Sequence, residues 1–375
     1  MLKNLFKDYV YPIAVFSGGM IGVGFLSLPY VAMRSGIWLT FLYFLVLTGL
    51  VAAINLIFAE ISLKTPDYKR FPGFAKYHLG KWGGGLAFLC AIVGGIGALL
   101  AYLIVGGEFL TNIFQPLFGG NANFYTLLYF VAGATIVYLG IKVVAKVEIA
   151  VLGFLFLSLS LIFLQSFSLI KAGNIFAPDI KLNFFNLFFP YGPILFSLWG
   201  TGLIPEIEEI LGVKKKKLLK KILFISTISV SIVYLLFTLL ILGITGAKTT
   251  ETALTGLWPF LGNGLMAISL LAGALATFTG FIMQGIILKE SFVYDFKIKH
   301  WQAFVMACCT PLILFLLGFK SFIALVSLFG GLILGISGIL ILLMYKKIGG
   351  KNYIIYPLSL VFLLGIIYEI TYFTK

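Results

Sequence analysis

Charged residues are scarce in this chain of 375 residues. Only 11% of them are Asp, Glu, Lys or Arg, whereas 61% are hydrophobic. Soluble globular domains carry about 25% charged residues, so the composition excludes an ordinary soluble domain. Acidic residues number 13 against 27 basic ones, which leaves a formal net charge of +14.

Residues with catalytic or metal-binding chemistry are also few. The three cysteines, Cys90, Cys308 and Cys309, fall inside apolar runs, and the two histidines, His78 and His300, lie outside or at the edge of such runs. These positions exclude a disulfide framework and a metal-ligand spacing. No segment matches the ATP-binding loop Gly-x-x-x-x-Gly-Lys-Ser/Thr. The sequence therefore predicts neither an enzyme nor a protein with an organic cofactor.

Long apolar runs are what the chain has instead. Runs of about 20 residues, enough to cross a ~30 Å hydrocarbon core, recur from one end to the other. Continuous runs indicate helices, since the strands of membrane β-barrels are short and alternate in polarity. The sequence predicts an all-α polytopic membrane protein with eleven transmembrane helices, named spans 1 to 11. Their approximate limits are 10–33, 38–63, 84–114, 124–141, 147–170, 186–211, 221–246, 261–289, 301–319, 321–345 and 353–373.

The basic residues predict the orientation of the spans. With the N-terminus in the cytoplasm, 21 of the 27 Lys and Arg residues fall in cytoplasmic segments, as the positive-inside rule requires. The odd number of spans then places the C-terminus outside, and the expected location is the cytoplasmic (plasma) membrane. The run KKKKLLKK at 214–221 fits a cytoplasmic loop that meets the anionic headgroups of the lipid bilayer. No nucleic-acid partner is expected.

Span 1 contains a segment that a membrane helix would ordinarily avoid. It reads SGGMIGVGFLSLPY at 17–30, with four glycines and Pro29. A Gly inside a helix costs roughly 1 kcal/mol relative to Ala, and an interior Pro costs roughly 3 kcal/mol. We expect the glycines to let the chain unwind here and to let a ligand approach the backbone.

Span 6 repeats this pattern. The Gly-Thr-Gly motif at 200–202 is followed by Pro205, as the Gly-Val-Gly motif at 22–24 is followed by Pro29. Each motif lies in the first of five successive spans, and the two spans run in opposite directions. This arrangement predicts two inverted repeats and one extra span. The expected domains are 1–175 for spans 1 to 5, 176–350 for spans 6 to 10, and 351–375 for span 11.

Interrupted helices in corresponding positions of two repeats indicate a binding site at the bilayer midplane. Freed N–H groups and positive half-helix ends bind a carboxylate, whereas freed C=O groups and negative ends bind an ammonium group. An α-amino acid carries both groups on one carbon and is the predicted ligand. A second interpretation stays open, because Gly18 and Gly22 also form the small-xxx-small pattern that packs helices closely without a ligand.

These residues resemble those of a known family. The segment GGMIGVGFLSLPYVAMRSG at 18–36 is similar to the first-helix signature of the amino acid/auxin permease family, which includes bacterial aromatic amino acid permeases. Weaker similarities are AEISLKT at 59–65, AYLIVGGEFLTNIF at 101–114 and FSLWGTGLIPEIEEI at 196–210. The family belongs to the amino acid–polyamine–organocation superfamily. The resemblance therefore implies a five-plus-five inverted repeat fold (LeuT-type) with broken helices 1 and 6.

The resemblance also implies a function, secondary active import of an amino acid by alternating access. It places the substrate carboxylate on the backbone of the 22–24 motif, the ammonium group on carbonyls of the 196–199 segment, and Tyr102 over the site. The implied substrate-binding residues are Gly18, Gly19, Gly22, Val23, Gly24, Tyr102, Phe196, Ser197, Trp199 and Gly200.

Uphill import needs a coupled ion, and the sequence leaves H⁺ and Na⁺ open. A sodium site of the superfamily type would use carbonyls near Gly18 and Ile21 and the hydroxyls of Thr277 and Thr279, although threonines also bond back to their own helix. For protons the candidate is Glu206, because carboxylates within spans are costly and functional by default. It lies roughly 9 Å along the helix from the glycines of span 6.

Two other functions remain open: an amino-acid sensor on a transporter fold, and an uncoupled facilitator or exchanger. A channel is disfavoured, because a channel more often shows a polar pore ring or a filter loop in an oligomer. The sequence does not identify the amino acid or the oligomeric state.

Overall fold

The structure of the protein is a computed structural model, which describes residues 6–66, 69–140, 144–176, 184–212 and 217–374. Every regular element in these ranges is a helix. The α-helices are Tyr11–Met20, Leu28–Ser35, Ile37–Lys64, Phe71–Phe118, Ala122–Leu139, Val144–Ser166, Ala172–Phe176, Phe184–Phe188, Tyr191–Leu198, Ile204–Leu211, Leu219–Thr245, Asn263–Phe296, His300–Phe304, Thr310–Leu316, Phe322–Leu328, Leu334–Lys347 and Asn352–Phe373. The π-helices are Phe6–Val10, Val305–Cys309 and Phe329–Ile333, and the 3₁₀ turns are Val23–Ser27, Phe167–Leu169, Thr201–Leu203, Gly246–Lys248 and Leu254–Leu257.

Many of these helices can cross a membrane. In the described ranges, eight are long and apolar enough to do so, and a ninth span results if the bent pair Asp8–Met20 and Val23–Ser35 is counted as one. Two shorter apolar helices, Gly153–Leu169 and His300–Leu316, lie where spans 5 and 9 are predicted. The all-helical membrane fold is confirmed, whereas the count of eleven spans stays a prediction.

Both predicted interruptions are present. In span 1 the α-helix ends at Met20 and helical structure begins again at Val23. The helix axis changes direction by 56° across this break. In span 6 the α-helix ends at Leu198 and helical structure begins again at Thr201. The α-helices on either side of each break are called the leading and trailing halves. They are Tyr11–Met20 and Leu28–Ser35 in span 1, and Tyr191–Leu198 and Ile204–Leu211 in span 6.

The glycines of the breaks serve close packing. Gly22 has φ −99° and Gly200 has φ −130°, values that residues with side chains also adopt. A β-carbon on Gly24 would lie 2.7 Å from Phe196 Cδ1, and one on Gly200 would lie 2.8 Å from Met20 Cγ. The glycines therefore let spans 1 and 6 touch at their breaks. The expectation that they also let the chain unwind stays a prediction, although both helices do break at these glycines.

The packing of the spans has the symmetry of inverted repeats. Span 8 packs along span 5, and its counterpart span 3 packs along span 10. Span 7 packs on the leading half of span 1, and span 2 packs on the leading half of span 6. In both cases, replacing each span by its counterpart in the other repeat, five numbers away, turns one contact into the other. This correspondence supports the five-plus-five fold. The domain boundaries at 175 and 350 stay predictions.

Two further features of the bundle are a kink before span 3 and the low burial of span 11. The helix Phe71–Phe118 is interrupted at Gly80, whose φ of +78° lies in the left-handed region that favours glycine. The segment before Gly80 therefore turns away from span 3. Span 11 packs on span 10. Only 28% of its most apolar stretch is buried, the lowest share among the long apolar helices of the described ranges.

Candidate functional site

A cavity of about 330 Å³ lies between the two breaks. This volume falls in the range of small-molecule sites, roughly 300–1,000 Å³. Spans 1, 3, 6, 8 and 10 and the segment before span 3 contribute to its walls. The lining residues are Gly19, Met20, Gly22, Val23, Gly24, Phe71, Cys90, Ala91, Gly94, Ala98, Tyr102, Phe196, Ser197, Trp199, Thr201, Gly202, Gln284, Phe329, Leu334 and Ser337.

Four helix ends meet at this cavity. The leading halves end at Met20 and Leu198, so their negative dipole ends face it. Helical structure begins again at Val23 and Thr201, and these two starts supply two positive dipole ends. Helix geometry provides no acceptor for the first N–H groups of a helix, and Val23 and Gly24 hold such groups at the cavity wall. The cavity thus offers donors to an anion and acceptors to a cation.

Tyr234 of span 7 ties the two negative ends together. Its Oη lies 2.9 Å from the carbonyl oxygen of Met20 and 3.3 Å from that of Ser197, and its hydroxyl donates to them. The ring is fully buried and stacks on Phe25, with 5.7 Å between ring centroids. This residue was not predicted from the sequence. The available signal was a tyrosine in a span that also carries several Ser and Thr hydroxyls.

Eight of the ten residues predicted to bind substrate line the cavity. The two that do not are Gly18, whose carbonyl accepts from the Ile21 N–H at 3.1 Å, and Gly200, which packs against Met20. The hydroxyl of Tyr102 lies over the break in span 1, because a β-carbon on Gly22 would be 2.9 Å from it. The eight cavity-lining residues are Gly19, Gly22, Val23, Gly24, Tyr102, Phe196, Ser197 and Trp199. Their part in substrate binding stays a prediction.

Several cavity residues were not predicted from the sequence. Ala91, Gly94 and Ala98 of span 3 all line the cavity, and their spacing of three and four residues puts them on one helix face. Gln284 and Ser337 add polar side chains from spans 8 and 10. The available signals were the run of small residues in span 3 and an amide within the apolar span 8.

Only part of the predicted sodium site comes together. Ile21 and Thr277 line a second cavity of about 20 Å³ with apolar residues of spans 1, 5 and 8. Roughly 10–15 Å³ holds one water-sized particle. Gly18 and Thr279 do not line it. The hydroxyls of Thr277 and Thr279 donate to carbonyls of their own helix at 3.0 and 3.1 Å, which is the alternative arrangement for threonines in helices.

Glu206, the predicted proton-linked carboxylate, is exposed in the first turn of the trailing half of span 6. It does not line the cavity. Two residues later, Glu208 is buried and accepts a hydrogen bond from the hydroxyl of Ser62 in span 2. In the described part of the chain, no group of three or more His, Cys, Asp or Glu side chains is placed to hold a metal ion.

Two polar clusters lie beyond the cavity. The Glu60 carboxylate is 3.0 Å from the ammonium nitrogens of both Lys64 and Lys220, which joins spans 2 and 7. The Glu108 carboxylate accepts from the hydroxyls of Thr252 and Thr255 at 2.9 and 3.0 Å, which joins span 3 to the connection before span 8. The cavity reaches Phe71, a residue that follows span 2 closely and so lies toward the Glu60 cluster.

Comparison with known protein families gives one match over most of the chain. The sequence model of the tryptophan/tyrosine permease family matches residues 7–353. This match fits the amino acid permease superfamily expected from the first-helix motif, while the narrower amino acid/auxin permease name is not confirmed. A search of curated protein sequences found no match.

Comparison with solved structures gives matches over nearly the whole chain. MhsT in complex with L-phenylalanine has a TM-score of 0.69 and 14% identity, covering 96% of this chain and 98% of its own. A manganese transporter from Eremococcus coleocola has a TM-score of 0.67 and 12% identity, with coverages of 98% and 86%. Mhp1, a nucleobase-cation-symport-1 family transporter with bound bromovinylhydantoin, has a TM-score of 0.65 and 11% identity, with coverages of 96% and 89%. At these identities the likeness shows the fold, which is the expected LeuT-type fold.

Proposed function

Because the chain belongs to the tryptophan/tyrosine permease family and is a secondary transporter of an amino acid, we propose that it imports an aromatic amino acid through the cavity between spans 1 and 6. The observation that carries this proposal is the meeting of four half-helix ends at one cavity. Alternating access then exposes that cavity to one side of the membrane at a time.

The charged groups of the substrate fit the helix ends. The carboxylate accepts from the N–H groups of Val23 and Gly24, where the positive end of the helix adds to the attraction. The ammonium group donates to the last carbonyls of the leading halves, near Met20 and Ser197. Both interactions are stronger here than in bulk water, because the surrounding protein lowers the local dielectric constant.

The side chain of the substrate fits the wall of span 3. Ala91, Gly94 and Ala98 carry no bulk, so a flat ring can lie against them. Phe329 faces the same cavity and supplies an aromatic surface, which favours offset or edge-to-face contacts. The Gln284 amide is available to the phenol or indole groups that distinguish Tyr and Trp from Phe. The Ser337 hydroxyl already donates to the Ile333 carbonyl of its own helix at 2.9 Å and can only accept.

The position of the cavity along spans 3 and 6 fits release of substrate to the cytoplasm. The cavity reaches Phe71 and Gly202, which lie toward the end of the molecule that the lysine count assigns to the cytoplasm. In this conformation the substrate would leave for the cytoplasm. The proposed location is the plasma membrane, with the N-terminus inside and the C-terminus outside.

Transport into liposomes tests the proposal. The purified protein should accumulate labelled Trp, Tyr or Phe when an inward H⁺ or Na⁺ gradient is imposed, and unlabelled aromatic amino acids should compete better than aliphatic ones. An amino-acid sensor would bind these ligands without moving them. A facilitator would equilibrate them without accumulation in either gradient. Either result would contradict coupled import.

A further inference from the structure

Glu369 of span 11 is a buried carboxylate that plays no part in the site described above. Its side chain is fully buried, although span 11 is otherwise poorly covered. Oε1 accepts from the Ser327 hydroxyl at 2.8 Å. Oε2 is buried and has no hydrogen-bond partner among the described residues. A charged carboxyl group is costly in such surroundings, so the neutral, protonated form is favoured unless the surroundings change.

The elements packed against Glu369 supply little that could neutralise its charge. The adjoining parts of span 10, Phe322–Leu328 and Phe329–Ile333, hold no titratable residue, and the helix Phe184–Phe188 holds none either. No ion pair with Glu369 occurs in the described ranges. The titratable and charged side chains that face this region are Tyr191 of span 6, Tyr43 of span 2, Arg34 at the end of the trailing half of span 1, and Tyr368 and Tyr372 of span 11. The Tyr191 hydroxyl is itself buried and has no hydrogen-bond partner in the part of the chain that the structure describes.

Two glycines connect Glu369 to the walls of the cavity. A β-carbon on Gly192, in the leading half of span 6, would lie 2.8 Å from Glu369 Oε1, and Gly331 packs on the stem of the same side chain. Gly331 belongs to the π-helix Phe329–Ile333, whose first residue lines the cavity. Single π-helical turns are frequent at functional sites. A change of charge at Glu369 therefore acts directly on two elements that form the cavity.

We propose that Glu369 is the proton-binding site that couples amino-acid transport to a proton gradient. The inference rests on the proposed function. One proton from outside binds the carboxylate and forms an O–H bond. The neutral side chain then lets spans 6 and 10 pack around it as the structure shows. Release of that proton to the cytoplasm breaks the O–H bond, restores the carboxylate and completes the cycle.

The substitution Glu369→Gln tests this assignment, because glutamine keeps the shape and polarity of the neutral carboxyl group and cannot release a proton. In liposomes with an inward proton gradient, accumulation should fall about tenfold or more, a size typical of coupling between sites. Exchange of labelled for unlabelled substrate across the membrane should persist, since it needs no net proton movement. Substrate-induced proton uptake, followed with a pH-sensitive dye, should disappear. Glu209→Gln, at an exposed carboxylate of span 6, is the matched control and should behave as the unaltered protein.

A second variant keeps the inference testable if Glu369→Gln fails to fold. Ser327→Ala removes the donor to Oε1 and so disfavours the charged form. The pH at which proton-driven uptake is half-maximal should rise by about one unit, and an unchanged midpoint would overturn the proposal.

Three further outcomes separate this inference from the proposed function. Unaltered protein that accumulates substrate only in a Na⁺ gradient would refute the role of Glu369 and leave the proposed function standing. The same holds if Glu206→Gln loses proton-driven accumulation while Glu369→Gln keeps it. Unaltered protein that accumulates no amino acid in either gradient would refute the proposed function itself.

Discussion

The breaks in spans 1 and 6 carry the same glycine motif and contribute differently to the cavity. In span 1 the motif at 22–24 brings its own backbone to the cavity, and all three of its residues line it. In span 6 Gly200 turns away to pack on Met20, and the cavity receives side chains, including those of Phe196 and Thr201. Both copies of the motif therefore interrupt a helix, but only the copy in span 1 lines the cavity mainly with backbone groups.

The largest effect expected from this difference is at the second glycine of each motif, Gly24 in span 1 and Gly202 in span 6. Gly24→Ala places a β-carbon 2.7 Å from Phe196 Cδ1 and 2.9 Å from Ser197 Oγ, whereas a β-carbon on Gly202 meets no described atom within 4 Å. Overpacking costs about 1–3 kcal/mol, so Gly24→Ala should lower Vmax/KM for aromatic uptake by about 10- to 100-fold. Gly202→Ala should stay within about threefold by the same reasoning.

Gly49→Ala in span 2, where the added carbon also meets nothing within 4 Å, controls for expression and folding. Uptake kinetics in liposomes of matched protein content provide the measurement. Equal losses in the variants of Gly24 and Gly202 would mean that the two breaks are equivalent.

An intermediate effect is expected where the two breaks are joined. Tyr234→Phe removes the hydroxyl that reaches the Met20 and Ser197 carbonyls and keeps the ring that stacks on Phe25. Loss of one hydrogen bond costs about 1 kcal/mol, so KM should rise about fivefold. Because the hydroxyl positions both helix ends, the rise should be the same for every transported amino acid. A change for one substrate alone would instead place the hydroxyl in the side-chain subsite.

The smallest effect is expected from the hydroxyls of span 6. Thr201→Val removes a hydroxyl from the cavity wall, and KM should rise about threefold, near the lower limit for a hydrogen bond. Ser197→Ala is the matched control, because the Ser197 hydroxyl already donates to the Pro193 carbonyl of its own helix at 2.8 Å. Its KM should change less than about twofold. Competition assays with a labelled aromatic amino acid measure both values, and the reverse order would contradict the assigned roles.

Local sequence was sufficient to locate both helix breaks. Pro29 and Pro205 lie in the first turns of the trailing halves, where a missing N–H costs nothing. The same local reasoning selected Glu206 for its distance from the break along the chain. The structure leaves Glu206 exposed and outside the cavity wall, and it buries Glu208 and Glu369. Distance along a helix does not specify which face is covered, because the covering residues belong to other spans.

The amino-acid sequence by itself determined the membrane class, the helical spans and the two interrupted segments. Each of these follows from hydropathy and backbone propensity, which act over a few neighbouring residues. Only the tertiary structure decided that Tyr234 joins the two breaks, that Ala91 and Gln284 share a cavity, and that Glu369 lies buried against spans 6 and 10. Those contacts join distant parts of the chain, and their formation depends on how whole helices pack.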